Sequence, residues 1–243
     1  MLREGLIGLG TFGGYYLLAA LSLLIIRALL KFSGELFRKL LHFVCFMSVF
    51  VLLYAFDTWY IAMTVGLLFG LVVYPAIALL ERYPKLMGIL EPRHNGEIKS
   101  SIVIVFFMLA SLIAVFWGWL GEPWKYIILV AVMAWGFGDA AAALVGKSWG
   151  RRQIRHRWVD GAKTAEGTIA MFAVSALAML LTLVACTQIP WYLCLGVAVL
   201  AAPVSAVVEL VSHRGIDTIT VPYATAAAVF ALLNVLPVTG VMQ

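Results

Sequence analysis

The stretch YIILVAVMAWGFGDAAAALVG, residues 126–146, is a long apolar run in which Asp139 is the single charged side chain. About 20 such residues in a helix, rising about 1.5 Å each, cross the roughly 30 Å hydrocarbon core of a bilayer. Inside that core every backbone N–H and C=O must be paired within the segment, which favours a helix. We therefore predict a membrane-spanning helix over residues 126–146.

Comparable apolar runs lie on both sides of this helix. Hydrophobic residues make up 64% of the 243 positions and charged residues 12%, whereas soluble domains carry about 25% charged residues. We therefore predict an all-α, polytopic integral membrane protein with about eight transmembrane helices, in which residues 1–243 form one membrane domain. The other predicted helices are Leu6–Leu30, Leu40–Phe56, Trp59–Leu80, Ser101–Leu120, Thr168–Cys186, Trp191–Val211 and Ile219–Leu236.

The basic residues predict how these helices are oriented. With the helices alternating in direction, all of the 17 Lys and Arg residues except Arg3 and Lys125 fall on one side of the membrane. Since Lys and Arg are retained in cytoplasmic loops, that side is predicted to be cytoplasmic and both termini extracytoplasmic. Retention of these cations next to anionic lipid headgroups accounts for the net charge of +5, so no nucleic-acid partner is predicted.

The acidic residues and histidines follow the basic residues to the same side. Of the 12 acids, Glu4, Asp57 and Glu122 are on the other side, and all 4 histidines are on the basic side. Mixed charges concentrated at one face indicate a site for an anionic, metal-bound ligand. A rim of compensating, solvated ion pairs is the alternative.

Asp139 is the charge least suited to its surroundings, because it lies about two turns, or 10 Å, inside the predicted end of its helix. An ionisable group at that depth needs a polar cavity or a partner and is a functional candidate. Small residues, including Gly146 and Gly150, recur along nearby faces of the helix. They would let another helix, or the phosphates of a ligand, approach the backbone.

The loop that follows carries the strongest features of an anion site. Thr164 is a predicted helix N-cap, the residue just before a helix whose side chain accepts from its first turn. A helix N-terminus attracts anions, and Lys163 beside it adds a point charge suited to phosphate. Glu166 is either a first-turn partner of the helix dipole or a metal or nucleotide ligand. No Gly-x-x-x-x-Gly-Lys-Ser/Thr motif occurs in the chain, so a P-loop nucleotide site is not supported.

Two further polar clusters are predicted to face the same side. Arg38 and His42 are four residues apart, with Lys39 between them, and therefore neighbours on one helical face. Glu209 interrupts an apolar run, and Asp217 precedes the last helix. A His–Arg pair at a helix end also serves as an interface anchor. The first cluster is therefore either part of the ligand site or such an anchor.

Taken in order, these residues resemble the CTP-dependent lipid kinases, a family that includes dolichol, polyprenol and phytol kinases and the CTP-dependent diacylglycerol kinase. Thr218 departs from that family, which usually has Asn at this position. The matching motifs are Arg38-Lys39-x-x-His42, Arg93-x-x-Gly96-Glu97, Asp139-x-x-Ala142-x-x-x-Gly146-x-x-x-Gly150-Arg151, Lys163-Thr164-x-Glu166-Gly167, Glu209 and Gly215-x-Asp217-x-x-x-Val221-Pro222.

The resemblance implies transfer of the γ-phosphoryl group of CTP to the hydroxyl of a membrane lipid alcohol, with Mg²⁺ as cofactor. It implies Asp139 as the first metal ligand, with Asp217, Glu209 or Glu166 completing the shell, and either His42 or Asp139 as proton acceptor. The residues implied in nucleotide binding are Arg38, Lys39, Gly146, Gly150, Arg151, Arg152, Lys163, Thr164, Glu166 and Gly167.

Two other functions remain as alternatives. The phosphatidate cytidylyltransferases, which make CDP-lipids from CTP, share the Asp-x-x-Ala, Gly-x-x-x-Gly and Lys-x-x-Glu-Gly elements, but their C-terminal Lys-Arg and Gly-His-Gly-Gly elements have no counterpart after Glu209. A transporter or flippase would also have charged helix ends, although such proteins often contain internal repeats, and we find none in this chain.

Overall fold

The computed structural model describes residues 2–29, 34–80, 82, 97–159, 163–213 and 215–236. A π-helix, Ile113–Trp119, extends the fourth α-helix, and a 3-10 turn, Glu122–Trp124, precedes the fifth. The α-helices are α1 (Leu2–Leu29), α2 (Gly34–Tyr54), α3 (Trp59–Leu80), α4 (Glu97–Leu112), α5 (Tyr126–Trp149), α6 (Ala165–Cys186), α7 (Trp191–Val211) and α8 (Asp217–Val235).

The predicted helical membrane fold is confirmed. Within the described residues, eight helical segments are long and apolar enough to cross a bilayer, with α4 counted together with its π-helical extension. Their ends differ from the predicted ones: α2 begins at Gly34, α5 continues to Trp149, and α6 begins at Ala165. Hydropathy detects only the apolar part of a helix, whereas Glu, Arg and Lys also favour helix and extend it beyond that part.

The chain groups into two compact units, Met1–Trp119 with α1 to α4 and Leu120–Gln243 with α5 to α8. Aromatic side chains form much of the core of the first unit. The ring of Phe69 lies 5.0 Å from that of Phe12 and stacks on Tyr16 at 4.4 Å between centroids. These ring contacts join α1 to α3, and the organisation of the whole chain as one membrane domain stays a prediction.

The second unit is a four-helix arrangement in which α5 packs on α6, α6 on α7, α7 on α8, and α8 again on α5. Every residue of α5 from Ile127 to Gly136 is buried, whereas after that point only Gly138 and Ala142 are. A buried hydrogen bond between the hydroxyls of Ser205 and Thr225, 2.7 Å long, joins α7 to α8. Hydroxyl pairs of this kind stabilise contacts between apolar helices.

Four helix ends meet at one end of the second unit, which we call the polar end. It consists of the C-termini of α5 and α7 and the N-termini of α6 and α8. The Ser212 and Thr220 hydroxyls hydrogen-bond there at 2.7 Å, joining the end of α7 to the start of α8. Most of the sequence-predicted site residues of this unit lie at the polar end.

Candidate functional site

The glycines after Asp139 lie where α5 and the start of α6 approach each other closely. A Cβ atom added at Gly146 would lie 3.1 Å from Thr164 Oγ1, and one at Gly167 would lie 2.9 Å from the Ala142 carbonyl oxygen. One at Gly150 would lie 2.7 Å from Thr164 Cγ2. These small residues were predicted to admit either another helix or the phosphates of a ligand. In the structure, the first turn of α6 occupies the space beside them. Their role toward nucleotide stays a prediction.

Thr164 is the N-cap of α6, as predicted. Its backbone is extended, with φ −124° and ψ 152°, and its hydroxyl accepts a hydrogen bond from Gly167 N–H at 3.2 Å. Ala165 N–H donates to the Arg152 carbonyl at 2.9 Å. Because two amides of the first turn already have partners, an anion at this helix end would depend mainly on side chains.

A short antiparallel pairing holds the loop between α5 and α6 in place. Gln153 and Thr164 form an isolated β-bridge, and Ile154 N–H donates to the Lys163 carbonyl at 3.0 Å. These contacts fix the backbone on both sides of the loop tip. The backbone of Lys163 therefore has a defined position beside the N-cap.

The two arginines after α5 lie beside the first turn of α6. The Arg152 backbone N–H donates to a carboxylate oxygen of Glu166 at 3.3 Å. The side chains of Arg151 and Arg152 are exposed. Glu166 thus has a structural role as an acceptor in the first turn, where the helix dipole also favours an acid, and its role toward metal or nucleotide stays a prediction.

Lys163 and Glu209, predicted for separate tasks, are partners. The Lys163 ammonium donates to the Glu209 backbone carbonyl at 2.8 Å and forms an ion pair with the Glu209 carboxylate. Glu209 is 4% exposed, whereas the Lys163 side chain keeps 23% of its surface accessible. The two residues are 46 positions apart, so no local sequence pattern indicated this contact.

The two aspartates predicted to bind metal lie at different depths. Asp139 is ten residues before the end of α5 at Trp149, which places it about 15 Å from that end and deeper than predicted. Gly146 lies seven residues after Asp139, hence on nearly the same face of α5. Asp217 is the first residue of α8, where an acid is stabilised by the helix dipole. Both side chains are partly exposed.

Within the described part of the chain, no group of three or more His, Cys, Asp or Glu side chains is close enough to hold a metal ion. The predicted shell of Asp139, Asp217, Glu209 and Glu166 is therefore not a preformed cage. Mg²⁺ commonly binds through one or two carboxylates together with substrate phosphates and water. Mg²⁺ as cofactor stays a prediction, in which one or two of these carboxylates would hold the ion together with a bound nucleotide.

The upstream cluster belongs to the first unit, on α2. Arg38 is 9% exposed, and Lys39 and His42 are half-buried. Arg38 and His42 are one helical turn apart, as predicted from their spacing. Arg93 and Gly96 of the second predicted motif lie outside the described residues.

The chain is 39% identical over 112 residues to a phytol kinase from Synechocystis sp.. The similar region covers 46% of this chain and 46% of the relative, so the match spans just under half the length of that curated protein. No protein-family model matches the chain, and no solved structure does. The similarity supports the resemblance to the CTP-dependent lipid kinases that the motifs indicated.

Proposed function

We propose that this chain is a membrane lipid kinase that transfers the γ-phosphoryl group of CTP to the hydroxyl of a lipid alcohol of the phytol, polyprenol or dolichol type. The observation that carries the proposal is the similarity to a phytol kinase, at 39% identity over 112 residues. The ordered motifs from Arg38 to Pro222 add support. The eight apolar helices suit an enzyme whose acceptor is dissolved in the bilayer.

The cations at the polar end supply what a triphosphate needs. Phosphoryl transfer depends mainly on positioning and on neutralising charge on the phosphates. Lys163 has a backbone fixed by the loop pairing, and the exposed Arg151 and Arg152 stand next to the first turn of α6. Guanidinium groups bind phosphate through two parallel hydrogen bonds, and an ammonium acts as a point charge. We assign the phosphate chain of CTP to these three residues.

Asp139 and Asp217 are the carboxylates we assign to Mg²⁺, with Glu166 as a third candidate. When bound, Mg²⁺ would neutralise negative charge on the phosphate oxygens during transfer. The hydroxyl of the lipid alcohol must lose its proton, and His42 and Asp139 are the two candidate acceptors. The lipid tail would lie between helices with its hydroxyl at the cytoplasmic interface.

The proposal is tested with purified full-length protein, γ-labelled CTP, Mg²⁺ and a panel of phytol, polyprenol, dolichol and diacylglycerol. We expect labelled lipid phosphate from at least one alcohol, and lower turnover when ATP replaces CTP. Release of pyrophosphate with formation of a CDP-lipid from phosphatidate would instead indicate a cytidylyltransferase. No turnover with any acceptor would contradict both enzymes and leave the transporter alternative.

Asp139→Asn is the variant that tests the metal assignment. Removing a carboxylate that stabilises charge in the transition state is expected to lower the transfer rate by at least about 100-fold. Glu122→Gln is the matched control, because Glu122 is an exposed acid just before α5 and hence at the opposite end of that helix. Full activity of well-folded Asp139→Asn would remove Asp139 from the metal site.

A further inference from the structure

Lys163 is held at both ends of its side chain. Its backbone carbonyl accepts from Ile154 N–H at 3.0 Å, and the next residue, Thr164, caps α6. Its ammonium is bound to the Glu209 carbonyl oxygen at 2.8 Å and to the Glu209 carboxylate. A long, flexible side chain is thereby kept in one place, which removes the conformational freedom it would otherwise lose when a ligand binds.

Glu209 is placed to hold this lysine. It lies in the last turn of α7 and is 4% exposed. Burying a carboxylate is costly unless it is paired, and in the described part of the chain the partner of Glu209 is Lys163. The described residues bring no two further acids, histidines or cysteines to Glu209 to make a metal cage. Glu209 is therefore placed as the counter-ion of Lys163.

The ammonium of Lys163 is only partly used by this contact. A lysine has three N–H donors, and Glu209 accepts two of them, one at its carbonyl and one at its carboxylate. Among the described residues, no acceptor is found for the third donor, and 23% of the side-chain surface is accessible. The remaining donor can therefore meet an oxygen atom of a ligand at the polar end.

We infer that Glu209 is a positioning residue that acts through Lys163, holding its charged ammonium so that the remaining N–H binds a phosphate oxygen of the nucleotide. This inference rests on the proposed function, in which the ligand is CTP. It removes Glu209 from the predicted metal shell. Because Glu209 neutralises Lys163, the net positive charge that attracts the phosphates comes from other cations, such as the exposed Arg151 and Arg152, and Lys163 contributes a directed hydrogen bond.

The inference is tested by equilibrium binding of labelled CTP to purified full-length protein, once in EDTA and once in Mg²⁺. Losing a charge-assisted hydrogen bond is expected to weaken binding about tenfold or more. Glu209→Ala should show that loss in EDTA as well as in Mg²⁺, because it releases the lysine. The double variant with Lys163→Ala should bind no more weakly than Lys163→Ala alone, since both changes remove one interaction.

A metal ligand would give a different pattern. If Glu209→Ala weakened CTP binding only when Mg²⁺ is present, or if its loss added to that of Lys163→Ala, the inference would be overturned. Glu209→Gln keeps the shape and an acceptor oxygen, so it should bind CTP more tightly than Glu209→Ala and also controls for misfolding. Lys147→Ala, which removes an exposed lysine in the last turn of α5, is the matched control and should leave affinity within about threefold.

The same samples separate this inference from the kinase proposal. If the wild type binds CTP with the expected pattern but phosphorylates no lipid alcohol, the kinase proposal fails and the positioning role stands. If the wild type transfers phosphate but Glu209→Ala binds CTP as the wild type does, the positioning role fails and the kinase stands. A wild type that binds no nucleotide would overturn both.

Discussion

At the residue scale, the polar end shows how one side chain prepares another. Thr164 caps α6 with its hydroxyl, and Lys163 beside it is tied to Glu209 on α7. The cap orders the first turn of the helix, and the ion pair orders the side chain that we assign to phosphate. A site that moves little on binding loses less free energy to ordering, so these contacts would favour the nucleotide binding that we propose.

The N-cap gives the prediction at this scale. Thr164→Ala removes the hydroxyl that accepts from Gly167 N–H, and loss of an N-cap costs about 1 kcal/mol of stability. We expect a lower unfolding midpoint in detergent, restored by Thr164→Ser. Thr182→Ala on the same helix is the control, because its hydroxyl donates to the Ala178 carbonyl within α6. Equal losses in both variants would contradict the capping role.

At the scale of elements, the contact between α5 and α6 organises the candidate site. An added Cβ would lie less than 3.0 Å from its neighbour at Gly150 and Gly167, and 3.1 Å from Thr164 Oγ1 at Gly146. The close approach brings the helix that carries Asp139 against the first turn after Lys163. A substitution that separates these helices would therefore move the metal candidate away from the phosphate candidate.

Gly167→Ala is the prediction for this interface. Its new Cβ would lie 2.9 Å from the Ala142 carbonyl oxygen, and overpacking of this kind costs about 1–3 kcal/mol. We expect a lower unfolding midpoint and a lower rate of phosphoryl transfer. Gly196→Ala on α7 is the matched control, since nothing lies within 4 Å of its added Cβ and Ala favours helix over Gly. A Gly167→Ala protein as stable as Gly196→Ala would show that α5 and α6 are not tightly packed here.

At the scale of the whole molecule, the distribution of charge predicts one functional side of the membrane. Most basic residues, most acids and all histidines are predicted to share it. In the second unit, α5 is 24 residues long, or about 36 Å by helical rise, so its two ends reach opposite sides of a bilayer. Orientation decides whether the candidate site meets cytoplasmic CTP.

Single-cysteine labelling tests this orientation. After Cys45, Cys186 and Cys194 are replaced by Ser, Gln153→Cys or Glu122→Cys places one thiol at an exposed position beyond either end of α5. In sealed inside-out vesicles, an impermeant maleimide should label Gln153→Cys and leave Glu122→Cys unlabelled. Right-side-out vesicles should give the reverse, and the opposite pattern would place the site outside the cytoplasm.

The sequence by itself determined the helical membrane fold, the N-cap at Thr164 and the one-turn spacing of Arg38 and His42, because hydropathy, capping and helical periodicity are local properties. Only the tertiary structure decided that the glycines of α5 meet the first turn of α6, that the loop pairs Gln153 with Thr164, and that Lys163 meets Glu209. The glycine and ion-pair contacts join residues of different helices, so they follow from how whole helices pack and leave no trace in a local pattern. The ion pair in particular turned two separately predicted ligands into one unit.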